Sequence, residues 1–95
     1  HDALPIYILS NRMAMYDAFS VLEEIISYHI KERNSLSIKE EYKMDELNSI
    51  PLISIVNILE ITNHIKSLIK QNINLNLLLD RYIIEVSKEL NLCKK

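Results

Sequence analysis

The chain has 95 residues, a mass of 11.1 kDa and a formal net charge of −2, with no glycine, two prolines and one cysteine. That length suits one domain. Without glycine there is no P-loop, no Rossmann phosphate loop and no nucleophile elbow, each of which needs bare backbone beside a phosphate or substrate; the lone Cys93 excludes an internal disulfide and any multi-cysteine zinc or iron–sulfur site.

Leucine and isoleucine supply 30 residues, enough apolar side chain for a core in so small a chain. Residues 1–48 carry a charge of −4 and residues 49–95 a charge of +2, and neither half makes the basic stripe of a domain that grips many phosphates. No uninterrupted apolar stretch approaches the roughly 20 residues of a membrane span, so neither a membrane nor a secretory route is expected. The single cysteine fits a reducing, cytoplasmic setting. A first residue of histidine, not methionine, suggests a segment of a longer protein.

The expected fold is all-α: a small antiparallel bundle of three long helices, with a connector that has room for a short helix. Residues 1–11 read as a linker or the tail of a preceding helix, and residues 12–95 as the domain itself. In the first helix, placed at about residues 12–33, Met15, Phe19, Leu22, Ile26 and Ile30 recur at helical spacing and form one apolar stripe. Asp17, Ser20, Glu24, Ser27 and Lys31 fall on another side. The apolar residues then thin out, and 34–48 read as the charged connector.

Ser49 is the expected N-cap of the second helix, with Pro51 in its first turn, where a missing N–H costs nothing. That helix is expected to end near residue 71. Its later half has the stripe Ile58, Ile61, Ile65, Leu68 and Ile69, but in its first half Leu52, Ile53, Ile55, Val56, Ile58 and Leu59 point nearly all round the axis, a pattern that requires burial on several sides. Asn72-Ile73-Asn74 then reverses the chain, with Asn74 as N-cap of a third helix running to about residue 90. Leu75, Leu78, Leu79, Tyr82, Val86 and Leu90 share its inner face.

Catalysis needs titratable groups that converge, and these do not. His1, His29 and His64 are scattered, without HExxH, CxxC or Glu-x-x-His spacing. Glu23-Glu24 and Glu40-Glu41 are sequence neighbours, which diverge by about 100° on a helix. Cys93 reads as a free thiol beside Lys94 and Lys95, and the five tyrosines are not interleaved with basic residues as a base-stacking platform requires. We expect no catalytic residue, no cofactor, no metal and no small-molecule substrate. What stands out is apolar surface away from the core stripes: Leu77 and Ile84 on the third helix, flanked by Arg81 and Lys88, and Leu52, Ile53 and Val56 at the start of the second. Such rows suit packing against a partner helix.

The stretch from Ile65 through Asn72-Ile73-Asn74 and Leu77-Leu78-Leu79-Asp80 to Ile84 resembles the end of bacterial clamp-loader subunits, where a helix, an Asn-Val-Asn-like turn and a leucine-rich helix follow one another. Asp80 stands where glutamate is commoner. The order of elements over residues 12–90 is similar to the C-terminal collar domain of the delta-prime family of DNA polymerase III. The Arg-Asp element that the family often carries late in its first helix is absent, with Tyr28-His29-Ile30-Lys31 in that region, and Glu32-Arg33-Asn34-Ser35 replaces the usual glycine-rich turn. The resemblance implies a helical collar that binds no nucleotide and packs against other clamp-loader subunits in a hetero-oligomer. It implies contact with DNA only indirectly, through the assembled loader that places the sliding clamp during replication. The collar of the loader's ATPase subunit, or an unrelated helical module that binds a peptide or DNA, are the alternatives.

Overall fold

Three helices make up the described part of the chain: α1 (Ala3–Asn34), α2 (Leu52–Ile69) and α3 (Leu75–Leu92). The computed structural model describes residues 3–34, 49–71 and 73–92, and among these there is no strand. The fold is an all-α bundle, as the periodicity predicts. Residues 35–48, where the connector and room for a short helix are expected, lie outside the described residues, as do Asn72, His1 and Cys93.

Bonds between the elements set their directions. Glu23 of α1 pairs with Lys66 of α2, while Arg12 reaches Ile69 and Arg33 reaches Ile50, so α2 runs antiparallel to α1. Asn57 bonds Glu89 and Thr62 bonds Tyr82, so α3 runs antiparallel to α2. α2 is the middle helix, packed on both neighbours, in a molecule measuring 55 × 28 × 17 Å. At 1.5 Å per residue α1 alone is about 48 Å long and sets the longest dimension.

α1 extends well beyond its expected start. The apolar run around Pro5 continues the same helix instead of forming a linker or a separate tail, because Pro5 is its third residue and an N–H there has no carbonyl one turn back to meet. The buried side of α1 holds Met15, Phe19, Ile26 and Ile30 of the expected stripe but is centred slightly to one side of it. Phe19 is buried, but Leu22 is 36% exposed, and Arg12, Tyr16, Glu23 and Arg33 take places on the inner side.

The start of α2 corrects another expectation. Pro51, with φ −54° and ψ 141°, occupies the N-cap position and has no side-chain cap bond to offer; Ser49 lies in the turn ahead of it. The Pro51 carbonyl accepts from the amides of Ser54 and Ile55 at 3.0 and 3.2 Å, which opens the helical ladder. The N-cap of α3 is as expected. Asn74 Oδ1 accepts from the amides of Asn76 and Leu77 at 2.9 and 3.2 Å, satisfying two of the orphan donors of that terminus.

The core is a cluster of Phe19, Ile65, Ile69 and Leu78, with Ile65 and Ile69 fully buried. Burying an isoleucine side chain of this kind contributes about 2 kcal/mol. Beside them Thr62 is also fully buried, and its Oγ1 donates or accepts with Tyr82 Oη at 2.8 Å while lying 2.7 Å from the Ile58 carbonyl. The Tyr82 ring meets Phe19 edge to face at 4.8 Å, so one node joins all three helices. α2, with a mean hydropathy of 1.3, is the one described helix long and apolar enough for a membrane span. In this structure its apolar residues serve two neighbours, packing Ile65 and Ile69 against Phe19 on one side and Leu78 on the other.

Candidate functional site

α3 follows from its sequence most directly. Leu78 is buried and Leu75, Leu79, Tyr82, Val86 and Leu90 are half-buried, all turned toward the bundle, while Leu77 and Ile84 stand outside at 66% and 54% exposure. Ile83 is also 60% exposed, but as the neighbour of Ile84 it points about 100° away from that row. Two adjacent isoleucines at 83 and 84 cannot both face inward on a helix whose inner positions are 82 and 86. Arg81 and Lys88 are exposed beside this row, and Arg81 Nε lies 3.5 Å from Glu85 Oε1, one turn on.

At the start of α2, Ile53 is 66% exposed, whereas Leu52 and Val56 are half-buried. Burial on several sides therefore holds for Ile55 and Ile58, not for Ile53. The structure does not join these residues to the α3 row in one patch. The Asn57–Glu89 and Thr62–Tyr82 pairs set a register in which Ile53 stands level with the end of α3, while Leu77 stands at its beginning, roughly 20 Å away along the axis.

A groove of about 690 Å³ runs between α1 and α2, lined by Ser20, Glu23, Glu24, Ser27, Lys31 and Asn63, with Tyr28, Leu59 and Lys66. Its charged groups are of both signs. Lys66 has its pKa raised, first by the hydrogen bond to Glu23 and then by that carboxylate's charge and by Tyr16, against some opposing desolvation. A lysine held protonated in this way is a cation, not a nucleophile. Lys66 and Lys70 also place their ammonium groups 4.7 and 4.3 Å from the centre of the Tyr16 ring, so α1 and α2 are tied by charge as well as by apolar packing.

His29 and His64 do not converge, since His64 is exposed on α2 and His29 sits half-buried on α1. Among the described residues no three His, Cys, Asp or Glu side chains come together as a metal site. Glu23 and Glu24 diverge as their adjacency requires, one pairing with Lys66 and the other exposed. The features that this arrangement offers to a partner are open helix faces. No protein-family model, curated protein or solved structure matches this chain.

Proposed function

We propose that this chain is a non-catalytic subunit-assembly domain, the helical collar of a delta-prime-like clamp-loader subunit, which helps to hold the loader together as it places the sliding clamp for DNA replication. The observation that carries the reading is the exposed i, i+7 pair of Leu77 and Ile84 on a helix whose inner face is already occupied. Leucine and isoleucine gain most from being covered, and Arg81 and Lys88 at the edge of the row supply a polar rim of the kind that borders helix-to-helix interfaces. The Asn74-capped turn ahead of the row supports the resemblance noted for that stretch. Ile53, with Leu52 and Val56 beside it, offers a separate contact at the other end of the bundle, as expected of a domain with a neighbour on each side.

The test is reconstitution. The subunit carrying this domain is mixed with the ATPase subunits of its loader and followed by gel filtration, with and without Leu77→Asp and Ile84→Asp. Both positions are exposed, so the variants keep the fold, and co-elution is expected to be lost. Undiminished assembly by the doubly substituted subunit would count against this face.

A further inference from the structure

We propose that the outer face of α1 is a self-association surface on which a second copy of this chain packs antiparallel. The proposal is independent of the clamp-loader reading and uses none of its residues.

Ala14, Ala18, Val21, Ile25 and Tyr28 follow one another at spacings of four and three, the repeat of a helix seam that packs lengthwise against another helix. All five are exposed, Ile25 at 52% and Tyr28 at 65%, and Leu22 borders the row. They lie across α1 from Phe19 and Glu23, which face the bundle. α1 therefore carries two apolar sides, one buried and one open.

Side-chain size favours an antiparallel second copy. With the two-fold axis level with residue 23, Ala18 faces the second copy's Tyr28, Val21 faces the second copy's Ile25 and Ala14 faces the second copy's Glu32, so no alanine meets alanine and no tyrosine meets tyrosine. A parallel pair would instead set tyrosine on tyrosine and alanine on alanine. It would also bring the two copies of Glu32, the next position of the seam, together in like charge.

Charge points the same way. Asp17, Glu24 and Lys31 line one edge of the seam at intervals of seven, and all are exposed. In the antiparallel register Asp17 lies across from the second copy's Lys31, and the same pair forms again at the other end. Only Glu24 meets its own counterpart, at the axis. Together the two faces would cover on the order of 1,000 Å², the lower edge of a specific interface, as suits a reversible dimer.

Sedimentation equilibrium of the 95-residue chain at low salt, across the micromolar range, tests this. The expected result is a monomer–dimer equilibrium that Ile25→Asp weakens at least tenfold, with helical circular dichroism unchanged because Ile25 is exposed. Asp17→Lys and Lys31→Asp are each expected to weaken the dimer, and the two together to restore it. A chain that stays monomeric throughout, or a dimer indifferent to Ile25→Asp, would overturn the proposal. So would a combined charge exchange no stronger than either single change, since only the antiparallel register pairs residue 17 with residue 31.

Discussion

Arg12 of α1 donates through Nη1 to the carbonyl oxygen of Ile69, the last residue of α2, at 2.9 Å. The same guanidinium donates to the carbonyls of Gln71 and Ile73, so it spans the whole turn between α2 and α3. A helix commonly ends with a glycine in left-handed conformation, whose amide satisfies the last carbonyls. This chain has no glycine, and its described residues include none with positive φ. The arginine takes over that task from another helix, and its positive charge also suits the negative end of the α2 dipole.

Arg12→Ala is accordingly expected to destabilise the fold by about 2 kcal/mol, since several charge-assisted bonds to carbonyls are lost at once. Urea unfolding measures this. Arg12→Lys is expected to recover only part of the loss, because one ammonium cannot reach three carbonyls in a fork. Amide exchange at Gln71 and Ile73 is expected to accelerate more than exchange at Ile58, far from the turn.

The node of Thr62 and Tyr82 gives a second expectation. Thr62→Val preserves shape but removes the partner of Tyr82 Oη, and Tyr82→Phe removes the hydroxyl while leaving Thr62 bonded to the Ile58 carbonyl. Thr62→Val is expected to cost about 1 kcal/mol and Tyr82→Phe less. A double-mutant cycle by thermal unfolding is expected to give a coupling of about 0.5 kcal/mol or more; additive effects would show that the 2.8 Å contact does not couple α2 to α3.

His29 sets a pH dependence. Its pKa lies below 6.5, chiefly through desolvation and secondarily through the nearby charge of Arg33, and its Nε2 is buried with no hydrogen-bond partner among the described residues. Between the folded value and 6.5 the unfolded chain binds a proton that the folded chain refuses, so stability rises with pH through that window and falls on acidification. Above 6.5 this contribution is flat. Urea midpoints measured from pH 7.5 down to pH 5 are expected to decline in the natural chain and to decline less in His29→Gln.

What could be read from the sequence was periodicity with an unambiguous side. α3 has one dense apolar face, so its inner residues and its Asn74 cap were legible. α1 has apolar residues on both sides of its axis, and periodicity alone could not choose; the choice was made by Glu23 meeting Lys66 and by Arg12 and Arg33 meeting carbonyls near the two ends of α2. Those partners stand 17 to 61 positions away, and nothing local to an arginine announces them. Ser49 failed as a cap because Pro51, with its fixed φ and extended ψ, could itself occupy the cap position two residues later. The expected stripe holds for Met15, Phe19, Ile26 and Ile30 and departs only at Leu22, while the open row is a second periodicity on the far side of the same helix.

The α3 terminus gives the last expectation. Asn74→Ala removes the acceptor of the Asn76 and Leu77 amides and is expected to cost about 1 kcal/mol, read as a lower urea midpoint. Asn74→Asp keeps the acceptor and adds a negative charge where the helix dipole is positive. α3 has no acidic residue in its first turn, so that site has no carboxylate with which to compete. The Arg12 guanidinium, bonded to the neighbouring Ile73 carbonyl, adds a second favourable charge. Asn74→Asp is therefore expected to be at least as stable as the natural chain at neutral pH, and to lose its advantage below about pH 4, where the new carboxylate is protonated. In an Arg12→Ala background the gain is expected to shrink; an undiminished gain would show that the arginine acts through its bonds to the turn alone and not through its charge.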